Sequence, residues 1–472
     1  MKRALSKFRH SVRLPKASTP DSAVSATTAN ASPPQAIVAP RSWVPDPVLE
    51  DSQTKLDCEY PSFNAPLESL PPEILRQLLS ILKLEELRTL VFTSPVIHQQ
   101  YLLDRRYLLC KCLETTLCGA AVDAYVVYQS SSADFSNSRT REKVVQFLNS
   151  YQDRHSSAQY LNLAEILTED EAVSMVVFFS SIIKPLAQHY SAWALANLSS
   201  ETGDSLSHEP LTKTEEQRLI RGLYRFQLSC NLFGTNCQGI SLKSKLGFQP
   251  VDILKIFICI FEPWEVEEIA CIYTFAKEKY DQIFGTIRWD VHEKNPKFEG
   301  QRPPTPEGAF DFDNSWVKDS LLKGTISCGL SLLYTVLFKV SDHAHLVSTM
   351  QEHIVWPAGN FLEEALGETA QFQRRQEGLS NRDQKQQRHE LLPFTGEKDP
   401  VTDELRPPQA WTLIWRGSYS NLYGYYVQDI IRRWGYVVWD ASRLERTGAK
   451  EVLMRQWEAD WGDSDPRDSV LQ

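Results

Sequence analysis

The chain has 472 residues, 42% hydrophobic and 23% charged, which is enough for more than one domain and for a sizeable core. Sixty acidic residues against fifty basic ones leave a net charge of −10, which argues against a nucleic-acid binder, whose footprint is basic. The nine cysteines are odd in number and contain no Cys-x-x-Cys pair, so they read as reduced intracellular thiols and not as a disulfide framework.

Residues 1–64 are rich in Ala, Ser, Thr and Pro, with few large apolar side chains to offset the entropy of ordering, and read as a disordered tail. Lys2, Arg3, Lys7, Arg9, Arg13 and Lys16 all precede the first acid, Asp21. Mitochondrial presequences, nuclear import patches and plain solvated tails share that pattern. The expected location is the cytoplasm or nucleus, with the mitochondrion as the alternative.

From residue 66 the pattern is helical. Pro72 and Glu73 open a segment with Ile74, Leu75, Leu78, Leu79 and Leu82 at i, i+1, i+4, i+5 and i+8, one stripe down a helix. Leu84, Leu87, Leu90 and Val91 mark a second short helix, and Ser94 caps a third that Pro95 begins. Three helices over 66–101 thus precede a helical domain at 102–366. Tyr125-Val126-Val127-Tyr128 is the best strand signal and still reads as helix. Thr168-Glu169-Asp170-Glu171 is a capping box ahead of Val173–Leu186, and Thr214-Glu215-Glu216-Gln217 is a second, opening a helix that Gly234 ends. Pro250 and Pro263 stand where helices over Asp252–Phe261 and Trp264–Phe284 begin. The uncharged stretch between Lys323 and Lys339 is too short to span a membrane and reads as one buried core helix; no membrane association is expected. Residues 286–312, with Pro296, Pro303, Pro304 and Pro306, read as a long loop. Residues 367–409, dominated by Gln, Arg, Glu, Asp and Lys, read as a flexible, disordered polar insert before aromatic-rich helices at 410–460. The fold class is all-α.

Signatures of enzyme chemistry do not appear. The chain has no phosphate loop, no His-Glu-x-x-His and no Gly-x-Ser-x-Gly, so no catalytic residue and no cofactor is expected. Cys110, Cys112 and Cys118 lack the paired spacing of a zinc site. His343 and His345 point to different sides of a helix, and His353 brings no third ligand, so no metal is expected. Glu265, Glu267 and Glu268 follow Pro263 and read as a first-turn cluster favoured by the helix dipole. The aromatics from Trp411 through Trp415, Tyr419, Tyr423, Tyr425, Tyr426, Trp434 and Tyr436 to Trp439 suit either core packing or a ligand groove.

The segment from Leu67-Glu68-Ser69-Leu70-Pro71-Pro72-Glu73-Ile74-Leu75 to His98 resembles the F-box, a three-helix module that docks onto the Skp-type adaptor of cullin–RING ubiquitin ligases. Leu70-Pro71 falls at the family's opening Leu-Pro, and Glu73 and Ile74 follow in register. The resemblance implies that Leu70, Pro71, Ile74, Leu75, Leu78, Leu79, Leu82, Leu87, Leu90 and Ile97 bind the partner. Ile97 stands where the family commonly has Trp and Pro95 where a basic residue is usual; losing an aromatic anchor weakens an interface by about 1 kcal/mol or more. Glu262-Pro263-Trp264-Glu265-Val266-Glu267-Glu268-Ile269-Ala270-Cys271 and Arg432-Arg433-Trp434-Gly435-Tyr436-Val437-Val438-Trp439-Asp440 look like phrases from a largely uncharacterised filamentous-fungal family with an N-terminal F-box-like segment. The resemblance implies a substrate receptor that binds a Skp-type adaptor, through it a cullin, and an unknown protein target. The alternative is a helical scaffold whose F-box no longer binds the adaptor; an enzyme without a recognisable motif is a third reading.

Overall fold

In the computed structural model, which describes residues 67–156, 161–203, 210–235, 247–300, 308–392 and 406–470, every regular element is a helix. Two isolated bridges, His292 to Phe310 and Leu391 to Ser418, are the only extended pairings among the described residues. The all-α class therefore stands. The basic tail lies outside the described residues.

The first three helices are α1 (Pro72–Ser80), α2 (Leu84–Thr93) and α3 (Pro95–Leu103). Proline occupies the first turn of α1 and of α3, where its missing N–H is no loss. The Ser94 hydroxyl accepts from the Ile97 N–H at 3.3 Å, as the sequence suggests. All three rest on α4 (Arg105–Leu117), which buries Leu108, Leu109, Cys112 and Leu113 beneath them. Two side chains of α4 also reach backbone ends above it: Cys112 Sγ donates to Leu79 O at 3.2 Å, and Thr116 Oγ1 accepts from Leu84 N at 2.9 Å. Capping from below mounts the trio rigidly on the body instead of hanging it from a linker.

The body is built on α5 (Ala121–Ser131), α6 (Arg141–Ser156), α7 (Glu169–Thr202), α8 (Lys213–Phe233) and α9 (Pro263–Ile287). Within α7 a π turn at Phe179–Ile183 precedes Pro185, whose ring and missing N–H disturb the regular ladder. By length and composition α7 could cross a membrane; here it packs on α4, α5 and α8. At the centre α8 packs against both α5 and α9. Gly222 permits the close approach, since a Cβ there would stand 3.3 Å from Glu268 O.

The structure corrects three expectations. The second capping box is Thr212 with Glu215, two residues earlier than Thr214, which is buried inside the first turn of α8. The stretch between Lys323 and Lys339 is not one helix: α10 (Ser315–Ile326) and a following helix at Leu330–Lys339 meet at 99°. Gly329 makes the break at φ +89, and Gln227 Oε1 accepts the freed Leu330 N–H at 2.7 Å.

Residues 367–392 are folded, with helices Glu368–Glu377 and Asn381–Gln387. Their polar side chains turn inward and satisfy one another. Arg374 grips Asp383 through two bonds of 2.7 Å, Asn421 Nδ2 donates to the same carboxylate at 2.8 Å, and Gln386 Oε1 accepts from Asn421 N at 2.7 Å. The remainder of that insert, 393–405, lies outside the described residues.

Of the two readings of the aromatic segment at 410–460, the structure selects core packing. Trp411, Trp415, Trp434, Tyr436 and Trp439 are all buried in the core that α8 and α9 share, so core packing accounts for them; Tyr425 alone of the nine stays exposed.

Candidate functional site

An amphipathic helix buries one stripe and offers the rest. In α1 the buried pair is Leu75 and Leu79, which turn toward α4. Leu84, Leu87, Val91, Ile97 and Tyr101 complete the interior. Of the ten residues the motif names, Leu75, Leu79, Leu87 and Ile97 are therefore spent on holding the helices together. Leu70, Leu78, Leu82 and Leu90 are half-buried, and Pro71 and Ile74 face solvent, Ile74 with 47% of its surface free. Ile97 is only 3% exposed, so the position where the family carries Trp is an inward one in this chain.

Apart from Ile74, the motif missed a set of apolar side chains that the fold leaves out. Among the described residues, seven of the 17 exposed large hydrophobics fall between 67 and 103: Leu67, Ile74, Ile81, Phe92, Val96, Leu102 and Leu103. Ile81, at 72%, continues the outer edge of α1 beyond Ile74. A turn at Leu67–Leu70 leads into this edge, closed by Leu70 N donating to Leu67 O at 3.3 Å. Ser94 Oγ donates to Glu68 Oε1 at 2.6 Å, which pins the turn to the start of α3. Scattered exposed leucines need no explanation; a concentration of them along one short segment makes it the candidate surface.

A second candidate lies inside the body. Arg218, Arg221 and Arg225 follow one stripe of α8; Arg218 donates to Val438 O and Trp439 O at 3.4 and 3.3 Å, and the other two face acids from other helices. Arg221 Nε donates to Glu268 Oε2 at 2.9 Å and its Nη1 lies 3.1 Å from Glu265. Arg225 lies 3.3 Å from Asp123 of α5 and 3.2 Å from Glu265, with its guanidinium 4.3 Å above the Phe261 ring. Tyr151 Oη of α6 donates to Asp123. Glu267 accepts from Arg432 Nε at 2.9 Å and from Gly424 N at 2.6 Å, and Glu215 accepts from Arg443 Nε at 2.7 Å. The three α9 acids are thus far more than a helix-end cluster. Only Glu265 makes the expected end contact, accepting from Glu262 N at 3.0 Å. Burial alone would raise the Glu265 carboxyl, but Arg225 and Arg221 outweigh it and hold it down at about 2. Burial wins at Glu268 and raises it, against the pull of Arg221. The side chains of Asp123, Arg225, Glu265, Glu267 and Glu268 are each at most 2% exposed. The arrangement braces helices against one another in the interior.

On the outer side of α9, two clefts of ≈ 440 and ≈ 380 Å³ share Thr274, Lys277 and Asp429. Their walls are joined by Lys277–Glu363 at 3.2 Å, Lys318–Asp281 at 2.6 Å and Arg433–Glu278 at 2.8 Å, so these three bases are already answered by acids.

The candidate metal groups fare no better. Burial pushes the Cys110 thiol up to about 11 and the Cys112 thiol to about 12, far from the thiolate a metal requires. His343 Nε2 meets Asp290 at 3.0 Å, and His353 Nδ1 meets Thr349 O at 2.8 Å. His292 faces Asp311 and Asp313 at 3.7 and 3.3 Å. There, however, Lys294 N donates to Nδ1 at 3.0 Å, which leaves the proton on Nε2 and no lone pair toward the acids.

Fold and face together define an all-α protein carrying a small, rigidly mounted helical module with an uncovered apolar edge. No family model, curated protein or solved structure matches the chain.

Proposed function

We propose that the chain is a protein-binding adaptor, a substrate receptor in which α1–α3 act as an F-box-like module. The module takes a Skp-type adaptor, and through it a cullin–RING ubiquitin ligase, while the helical body recruits the protein to be modified. One observation carries the reading: Pro71, Ile74 and Ile81 form an outward apolar edge beside the half-buried Leu70 and Leu78. A scaffold with no adaptor to bind would bury that edge against the helices that follow. Fully covering an isoleucine is worth about 1.5–3 kcal/mol, so Ile74 and Ile81, with roughly half and three-quarters of that still to gain, together offer on the order of 3 kcal/mol to a partner groove. In this reading the chain performs no chemistry itself and works in the cytoplasm or nucleus.

The test is co-purification of the host's Skp-type adaptor with the tagged full-length chain and with a Leu70→Ala/Pro71→Ala variant. Recovery with the wild type and loss with the folded variant is the expected result. An adaptor absent from the wild-type eluate overturns the reading and leaves the scaffold.

A further inference from the structure

We propose that the two clefts on the outer side of α9 form one peptide-binding groove, in which Asp429 receives a lysine or arginine side chain of the recruited protein and Tyr425 covers it. This rests on the reading of the body as the part that takes the target, and it names the chemistry that the target must carry.

Charge decides the sign of the ligand. Five acids and four bases line the two clefts. Three of those bases are spent on the wall pairs described above, and Lys323, behind the wall, answers Asp319 at 3.1 Å. The fourth, Arg432, is committed to the buried Glu267 through Nε at 2.9 Å and Nη2 at 3.1 Å. Its Nη1 meets Asp429 at 3.1 Å. One guanidinium thus serves two carboxylates, and Asp429 is the wall acid with charge to spare. Thr274 Oγ1 donates to the same Asp429 oxygen, Oδ1, at 3.4 Å, which leaves Oδ2 to a ligand. The Asp429 side chain is 61% exposed, and it lines both clefts, so it stands where they meet. An anion would find no spare base there, which disfavours a nucleic acid or a phosphate.

The aromatic wall is held in place. Tyr425 lines the larger cleft and is 59% exposed. Its backbone N–H donates to Leu366 O at 3.1 Å. Gly424, at φ +64, permits that approach, since a Cβ there would stand 2.3 Å from Leu366 O. Backbone anchored in this way keeps the ring at the cleft, where an aromatic face attracts a cation. A carboxylate and a tyrosine ring in one cleft suit an ammonium or guanidinium group. Two clefts that meet at the carboxylate leave room for chain on either side of it. That favours a basic side chain carried on a peptide over a free amine.

The experiment selects binders to the full-length chain from a phage-displayed library of random short peptides, and measures the best synthetic peptide by fluorescence anisotropy. Wild type, Asp429→Asn, Tyr425→Ala and Ile74→Glu are compared, with circular dichroism as the check on folding. Both groove residues are exposed, and asparagine can keep the bonds to Thr274 and Arg432, so the fold should survive. The expected result is a peptide with Lys or Arg at a fixed position, bound at least about fivefold more weakly by Asp429→Asn. Tyr425→Ala should weaken it about threefold, and Ile74→Glu should leave it unchanged. Selected peptides without a basic residue, equal affinity of wild type and Asp429→Asn, loss with Ile74→Glu, or no selected peptide at all overturns the groove. Spermidine bound more tightly than the best peptide assigns the site to a free amine and overturns it as well. The adaptor co-purification is run on the same wild-type chain. Adaptor recovered without peptide binding removes the groove and leaves the parent reading standing, whereas peptide binding without adaptor keeps the groove and removes the ligase.

Discussion

Replacing Arg225 with Met tests the brace at the centre of the body. Met nearly matches the stem of arginine in length, so the change removes charge more than volume. Arg225 stands 3.3 Å from Asp123 and 3.2 Å from Glu265 and is only 2% exposed, as are both acids. Without it, Glu265 retains Arg221 at 3.1 Å, while Asp123 keeps Tyr151 as a donor but loses its counter-charge. Breaking a buried pair from one side costs about 3–5 kcal/mol, because the surviving charge stays desolvated and uncompensated. Stacking on Phe261 at 4.3 Å adds a smaller loss. The expected destabilisation is therefore about 4 kcal/mol, a large part of the 5–15 kcal/mol that holds a typical protein together. Urea unfolding followed by tryptophan emission and by far-ultraviolet dichroism measures it. The decisive companion is Arg225→Met/Asp123→Asn, which removes the stranded charge as well. It should be more stable than the single variant, since a neutral, hydrogen-bonded core avoids the orphaned carboxylate. A single variant within about 1 kcal/mol of wild type, or a double variant less stable than the single, refutes the electrostatic account.

Two further predictions follow from the same core. Glu265 is held at about 2 against an ordinary 4.5, so the stability it contributes is complete above pH 4.5 and drains away as pH falls toward 2. That loss is on the order of 3 kcal/mol. Asp383, lowered by Arg374 against the effect of burial, acts in the same direction; Glu268, raised by burial, opposes them in part. The urea midpoint at constant ionic strength should drop between pH 5 and pH 3, and a flat midpoint over that window contradicts the assignment. Gly324→Ala should destabilise α10 by about 3 kcal/mol, against the gain of about 1 kcal/mol that alanine usually brings to a helix interior. The added Cβ would lie 1.9 Å from Val355 O. A thermal midpoint that rises on this substitution disproves the close packing.

Sequence signals of short reach served well. Pro72, Pro95, Pro250 and Pro263 begin their helices, Ser94 and Thr168 cap theirs, and Gly234 ends α8. Signals that depend on a distant partner were illegible. Thr212 and Thr214 each have a suitable side chain three residues on, and only the fold, by seating Glu215 against Arg443, selects between them. In 367–392, polarity suggested exposure, yet Asp383 and Gln386 are completed by Asn421, more than thirty residues away. Glu267 looked like a dipole-favoured acid because its partner Arg432 lies 165 positions downstream. The apolar edge was half legible. Periodicity finds Ile74–Leu75 and Leu78–Leu79 as pairs, and which member faces out depends on α4, a helix outside the motif.

The long-range arginine–carboxylate pairs also set the order in which the body can be assembled. Glu215 and Glu267 sit on the two central helices, and their counter-charges arrive only with Arg443 and Arg432. A growing chain that has not yet reached residue 432 holds two carboxylates whose burial without a counter-ion costs several kcal/mol apiece. The middle of the body must therefore stay open to water until the last stretch is made. The C-terminal segment acts as a keystone, closing the charges that the two central helices hold open.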